Sequence, residues 1–187
     1  MDKSYTIDKS TNPPTFVTER LIMRPFREGD EDEVFLYASD KVNTEFMLWD
    51  THKDIEDSKA FIQFELDSYE KGNCYDYAFV LRETGKIIGS GGSMTVNPPH
   101  CAEIGYIIDK AYWGKGLVPE AMSALIDFYT NELNIRRIEA KHFLENEKSG
   151  RVMQKLGMQY EGTLRSKVFA QGRYWDLKQY ALINKAK

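Results

Sequence analysis

The chain has 187 residues, 42% of them hydrophobic and 29% charged, with a net charge of −4 and a pI near 5.5. That composition is globular rather than disordered, and the length suits one domain. The acidic balance argues against a domain that coats nucleic acid or an anionic membrane, both of which need a cationic excess.

Cys74 and Cys101 share no CxxC spacing, so neither a disulfide framework nor a zinc site is indicated. His52, His100 and His142 lie far apart, and no metal is expected. The polar start "MDKSYTIDKSTNPP" carries no signal core and no stretch is long enough to span a bilayer. A cytoplasmic protein without nucleic-acid or membrane partners is expected.

Residues 1–14 read as a flexible N-terminal leader ending at Pro13-Pro14, and 15–187 as a single domain. "FVTERLIMRPFR" alternates around Leu21 and Met23 and reads as one strand. "EGDEDEVFLYASD" suits a short helix behind an Asp30 cap. "DIEDSKAFIQFELDSYEKG" reads as a second helix, closed by Gly72. "YDYAFVLRETGKIIGSGGSMTV" is two apolar runs around Glu83-Thr84-Gly85-Lys86, a hairpin signal. Gly89, Gly91 and Gly92 in its second run fit either a bulge or the close approach of a ligand.

"CAEIGYIID" is a further strand. "PEAMSALIDFYTNEL" carries a broad apolar stripe through Ala121, Leu125, Ile126, Phe128, Tyr129 and Leu133, as a packed helix does. "IRRIEAKHF" is a strand and "NEKSGRVMQKLG" a short helix stopped by Gly157. "MQYEGTLRSKVF" and "GRYWDLKQYALI" read as a final pair of strands. Tyr174 and Trp175 are adjacent on the last one and should face opposite sides. The order predicts a mixed α/β sheet, with a right-handed parallel crossover from "AEIGYII" to "RRIEAKHF".

"YWGKGLVPEAM" lies between a strand and a helix. Its spacing matches neither a dinucleotide fingerprint, since Pro119 stands where a third glycine belongs, nor a Walker loop. Glycine-loop amides, free N–H groups of the helix start and the positive end of the helix dipole would still converge on an anion. The directed N–H bonds, at roughly 1.5–3 kcal/mol each to a charged acceptor, outweigh the dipole term of roughly 0.3–1 kcal/mol. Lys115 could add a point charge. A plain strand-to-helix turn has the same spacing.

The stretch "AEIGYIIDKAYWGKGLVPEAMSALIDF…IRRIEAKHFLENEKSGRVMQKLGMQYEGTLR", with "TERLIMRPFREGD" ahead of it, resembles the GNAT superfamily of N-acetyltransferases, and within it the RimJ/RimL-like branch. The resemblance runs from Thr18 to Ile183. It implies a twisted mixed sheet of about seven strands flanked by about four helices, splayed between the family's fourth and fifth strands. It further implies acetyl-CoA as acyl donor, no metal, and a primary amine as acceptor. A protein N-terminus, ribosomal or other, is one acceptor class and small molecules another; a homodimer stays open.

Carried over residue by residue, the resemblance puts the cofactor pyrophosphate on Trp113, Gly114, Lys115, Gly116, Leu117 and Val118. Val118 is bulkier than the family's Gly or Ala at that position. Ile107 and Ile108 would contact the pantetheine arm, with an N–H near Ile107 facing the thioester oxygen. Asn146 would contact the arm, and Ser149 would reach the sulfur as acid or hydrogen-bond donor. Both also suit helix capping.

Glu103 is the candidate base, acting through water, because an ammonium must lose a proton before it can attack. It also fits a solvated carboxylate at a strand start. Trp49 and His52 would line the acceptor site, or merely plug a surface loop. Glu120 fits dipole complementation or loop bracing better than catalysis. Neither cysteine sits in an activating motif, which disfavours an acyl-cysteine route. A CoA-binding module without chemistry is the rival reading.

Overall fold

A computed structural model describes residues 5–10, 12–71, 75–94 and 101–184. Gly72, Cys74 and His100 lie outside the described residues. Among the described residues nine strands form one sheet: β1 (Thr6–Asp8), β2 (Thr15–Val17), β3 (Leu21–Arg24), β4 (Tyr75–Leu81), β5 (Ile87–Met94), β6 (Cys101–Ile108), β7 (Arg137–Phe143), β8 (Gln159–Ala170) and β9 (Arg173–Ile183). The helices are α1 (Glu31–Ala38), α2 (Lys41–Thr44), α3 (Ile55–Lys71), α4 (Leu117–Asn131) and α5 (Glu147–Lys155). Strand order across the sheet is β1-β2-β3-β4-β5-β6-β7-β9-β8, antiparallel throughout except β6–β7.

This is the expected mixed α/β architecture, with two strands and one helix more than the sequence suggested. The predicted first strand is two, because Thr18 closes a turn. Its N–H donates to the Leu21 carbonyl at 2.9 Å, and its hydroxyl accepts from the Leu21 N–H at 3.1 Å. The other extra strand lies in the segment read as a loose leader: Thr6–Asp8 pairs with Thr15–Val17 along the edge, and Tyr5 is buried beside it. The extra helix is the single turn α2, capped by the Asp40 carboxylate, which accepts from the Val42 and Asn43 amides.

Local signals explain most of the rest. Asp30 does precede α1, yet its carboxylate makes no cap bond; it is turned to Arg24, at 2.7 and 2.8 Å. The β4–β5 turn falls at Glu83–Lys86, with Gly85 at φ +71°. Gly89 and Gly91 serve close strand approach. A Cβ on Gly89 would stand 2.3 Å from the Ile107 carbonyl oxygen, and one on Gly91 2.8 Å from that of Gly105. Trp175 is buried while Tyr174 is exposed, as alternation requires.

The core has two layers. On one face, α4 and α5 bury Met122, Leu125, Tyr129 and Met153 against Phe16, Leu21, Phe79, Ile104 and Ile138. On the other, α1 and α3 bury Val34, Tyr37 and Ile62 against Ala78, Val80 and Ile107. Each fully buried large aliphatic side chain contributes roughly 1.5–3 kcal/mol. On β6, Ala102, Ile104, Tyr106 and Ile108 pack with the first layer and Ile107 with the second. Glu103 and Gly105, of the same parity as Ile107, therefore share its face.

Candidate active site

The loop after β6 is built by local chemistry. Asp109 caps one 3-10 turn over Lys110–Tyr112, accepting from the Ala111 amide at 2.9 Å. The Trp113 indole N–H donates to the Ile108 carbonyl at 2.9 Å. Gly114 and Gly116 both lie at φ +76°, in the left-handed region that glycine enters without strain. The turn they make delivers the chain into α4, whose first helical bond runs from the Glu120 N–H to the Gly116 carbonyl. The Leu117 and Val118 amides lie ahead of that bond, where a helix leaves donors without an internal acceptor; Pro119 has none to leave. Leu117 and Val118 bury their side chains in the core, so the bulk of Val118 does not stand over the loop.

Two ammonium groups flank this turn. Lys148 lies over the Trp113 ring at 3.9 Å, and Lys115 is 5.0 Å from the Tyr112 ring centre. The turn is also clamped from the far end of the chain. The Glu120 carboxylate accepts from the Thr18 hydroxyl (2.6 Å), the Arg20 amide (2.8 Å) and the Arg20 guanidinium (2.7 Å), and Arg20 donates onward to the Lys115 carbonyl (2.9 Å). Burial pushes the Glu120 carboxyl up, but the Thr18 hydroxyl and Arg20 outweigh it and hold the group below its usual range. Bracing, one of the roles expected of Glu120, is the one its contacts display.

Beside the loop the sheet opens. Strands β6 and β7 are paired only at Cys101–Arg137, Ala102–Ile138 and Glu103–Glu139, while β6 stays paired with β5 as far as Ile108. From Ile104 onward one edge of β6 therefore faces a gap. The Asp109 N–H donates to the Ile88 carbonyl. By the alternation of an antiparallel ladder, the Ile107 and Gly105 amides also point at β5, and those of Tyr106 and Ile108 point at the gap. The gap-facing donor expected near Ile107 is thus its neighbour at Ile108, or Tyr106. Ile107 itself packs against α1 and α3.

The two catalytic candidates fall on opposite sides of this gap. On the α5 side, the Ser149 hydroxyl lies 3.0 Å from the Tyr106 hydroxyl. Burial drives the Tyr106 phenol well above its ordinary range, with Ser149 acting against it. Asn146 caps α5, its Oδ1 accepting from the Ser149 amide at 3.2 Å. On the other side, Glu103 stands at the last paired register before the gap, and its carboxylate accepts from Lys141 Nζ at 2.5 Å.

The Trp49 and His52 rings meet at a tilt with centroids 5.2 Å apart, but only Trp49 lines a cavity of about 330 Å³ between Met47–Asp50 and Phe169–Gln171. His52 is held instead by Ser58, 2.8 Å from Nδ1, and burial lowers its pKa. Burial also raises the Cys101 thiol, with Glu139 adding to the effect, which keeps it from acting as a ready nucleophile. Among the described residues no cluster of histidine, cysteine and acid side chains is arranged to hold a metal ion. None of the helices described is long and apolar enough to cross a membrane.

Sequence reasoning gave no role to Arg20, Tyr106, Lys141 or Lys148. Tyr106 left a trace, as the single hydroxyl-bearing aromatic in an aliphatic strand. The lysines left none, since their partners come from other elements.

A left-handed glycine turn leads from a strand pair that parts half-way into a helix start, and comparison with known proteins sets a chain of this fold among acyl-group transferases. The family model described as Acetyltransferase (GNAT) domain matches residues 20–159. An uncharacterized N-acetyltransferase of Bacillus licheniformis is 34% identical over 172 residues, covering 91% of this chain and 97% of that one. A ribosomal-protein-serine acetyltransferase of Escherichia coli is 30% identical over 129 residues, covering 68% and 71%. The structure of RimL, a ribosomal alpha-N-protein acetyltransferase in complex with coenzyme A, superposes with a TM-score of 0.81 over 91% of this chain and 98% of that one, at 21% identity. The chain belongs to the GNAT family of acyl-CoA-dependent acetyltransferases, in its RimJ/RimL-like branch.

Proposed function

We propose that the protein acetylates a primary amine with acetyl-CoA as donor, the donor lying in the β6–β7 gap with its phosphates on the Gly114–Val118 turn. The observation that carries this reading is the alignment of the two features. The pairing of β6 with β7 ends at Glu103, and the strand that borders the resulting gap runs directly into the amide cradle.

The residues present fit that cosubstrate. Left-handed Gly114 and Gly116 and the unbonded first amides of α4 suit a pyrophosphate, and the open edge of β6 suits an amide-bearing arm that hydrogen-bonds as a strand does. Acetyl-CoA supplies an acetyl group activated as a thioester. The Ile108 or Tyr106 amide donates to the acyl oxygen. The Tyr106–Ser149 hydroxyl pair offers a proton on the α5 side, where the thiolate departs. Glu103 receives the proton of the incoming ammonium through water, while Lys141 holds the carboxylate in place. Trp49 borders the approach of the acceptor.

Radiolabelled acetyl-CoA offered with a panel of peptides and small amines tests the proposal. Transfer to at least one amine is expected, with Glu103→Gln and Ser149→Ala each lowering kcat while CoA binding persists. Tight CoA binding without transfer to any acceptor would instead mark a CoA-binding module without chemistry.

A further inference from the structure

His142 is buried at 4% exposure on β7, and the chemistry above gives it no part. It has the parity of Ile138 and Ala140, so its ring lies on the α4–α5 face of the sheet. Nδ1 stands 2.7 Å from the Phe143 carbonyl oxygen. A carbonyl only accepts, so the proton of the neutral ring is on Nδ1 and Nε2 carries a lone pair. Nε2 is buried and, among the described residues, has no hydrogen-bond partner. The Tyr180 ring lies against the imidazole at 5.6 Å, tilted by 32°.

Both nitrogens of this ring meet the first turn of α5. The Phe143 carbonyl that accepts from Nδ1 also accepts from the Asn146 amide, at 2.8 Å. On the other side the ring edge abuts Gly150, where a Cβ would stand 2.8 Å from Nε2 and 3.2 Å from Cε1. Glycine alone leaves room for the ring there, and the ring is tied at Nδ1 and backed by Tyr180. Ser149 lies between the two contacts. Its amide donates to Asn146 Oδ1, its hydroxyl is 3.0 Å from that of Tyr106, and its carbonyl accepts from the Tyr106 hydroxyl at 3.1 Å.

A second proton on the ring would place a buried charge and an unmet donor on Nε2, at a contact that fits a bare nitrogen. Burial disfavours that form, and the Phe143 carbonyl works against burial. Lys178, the cross-strand neighbour on β9, adds to burial, and Glu147 on α5 opposes it. Tyr180 is the further titratable group against the ring. We propose that His142 is a positioning residue for acetyl transfer: neutral, with its proton on Nδ1, it fixes the first turn of α5 and so holds the Ser149 hydroxyl at the gap. This rests on the amine-acetylation reading above, which puts the departing thiolate on the α5 side.

The test uses the intact enzyme with acetyl-CoA and the amine that the wild type acetylates best. Gly150→Ala adds a methyl where the ring edge lies. It should lower kcat about tenfold and leave the acetyl-CoA KM within about twofold, the pattern of a misplaced reacting group rather than a lost ligand contact. Alanine is the better helix former, so helix propensity works against that loss. His142→Ala should also lower kcat about tenfold. In the double variant the methyl enters the space that the ring leaves, so the loss should stay at about tenfold instead of the roughly hundredfold of independent effects. His142→Asn keeps a donor near the Nδ1 position and should retain more of kcat than His142→Ala. Its side chain does not titrate, so wild-type kcat should fall more steeply than that of His142→Asn as pH is lowered from 7.5 to 5.0. Heteronuclear NMR of the wild-type imidazole should find the proton on Nδ1.

A Gly150→Ala enzyme with wild-type kcat, or losses that multiply in the double variant, overturns the positioning role and leaves acetyl transfer standing. So does a ring proton on Nε2, or a pair of parallel pH profiles. An enzyme that binds CoA but acetylates no amine overturns both. If Gly150→Ala fails to fold, the His142→Asn profile and the wild-type spectrum decide the matter.

Discussion

Gly89→Ala tests whether the open strand edge is held in place by the tight contact on its other side. The added Cβ would stand 2.3 Å from the Ile107 carbonyl oxygen and 2.7 Å from the Ile108 Cα, where ordinary contacts begin at 3.4 Å. Both obstacles are backbone, so no side chain can rotate away, and the two strands must part by about 1 Å. Overpacking of this kind costs roughly 1–3 kcal/mol, and the unyielding obstacle places this case at the upper end. For a chain of this size ~3 kcal/mol corresponds to a fall in Tm of roughly 6–12 °C. The displaced residues include Ile108, whose amide faces the gap. Misplacing a donor by an ångström lowers turnover by something on the order of a hundredfold. Thermal melting and steady-state kinetics on the purified variant read both effects. Gly105→Ala is the stability control, since its Cβ enters open space. A Gly89→Ala protein that melts within about 2 °C of wild type and keeps its kcat would refute the reasoning.

Other perturbations separate the remaining parts. Arg20→Ala removes the clamp between Glu120 and the Lys115 carbonyl, so CoA affinity measured by calorimetry should fall about tenfold, with ~1–2 kcal/mol lost in stability. Tyr106→Phe and Ser149→Ala should each lower kcat by about a hundredfold with little change in the acetyl-CoA KM. The double variant should be scarcely worse than either, because the hydroxyls act as a pair. Burial holds His52 and His142 below their ordinary 6.5, so the unfolded chain takes up protons there first. Their contribution to stability is full above pH 6.5 and is lost as pH falls below it. Asp76, raised rather than lowered, acts with the opposite sign. Denaturation midpoints from pH 7.5 down to 5.5 should therefore fall less steeply in His142→Asn than in wild type.

Elements marked by their own residues could be read without coordinates. The α4 stripe, the Glu83–Lys86 turn and the Gly157 stop each carry their signal within a few positions, and each is found in place. The same holds for the turn ahead of α4, whose glycines and helix start adjoin in sequence. What sequence withheld was made by distant partners. Thr18 breaks a strand because its hydroxyl meets Leu21, and Arg20 matters only because the fold brings Glu120 to it, 100 residues away. The assignment of the gap-facing amide needed the register of β5 against β6, which no pattern within β6 contains.

The short β6–β7 seam has a mechanical consequence. Six strands stand on one side of it and three on the other, sutured by three residue pairs at one end. A ligand that fills the gap acts as a tenth strand delivered by diffusion, stitching the two portions along their full length. Occupancy and rigidity are then one property, with hydrogen exchange along the inner edges of β6 and β7 slowing as the donor binds. In the complex proposed above, the sheet is continuous only when the cosubstrate is in place.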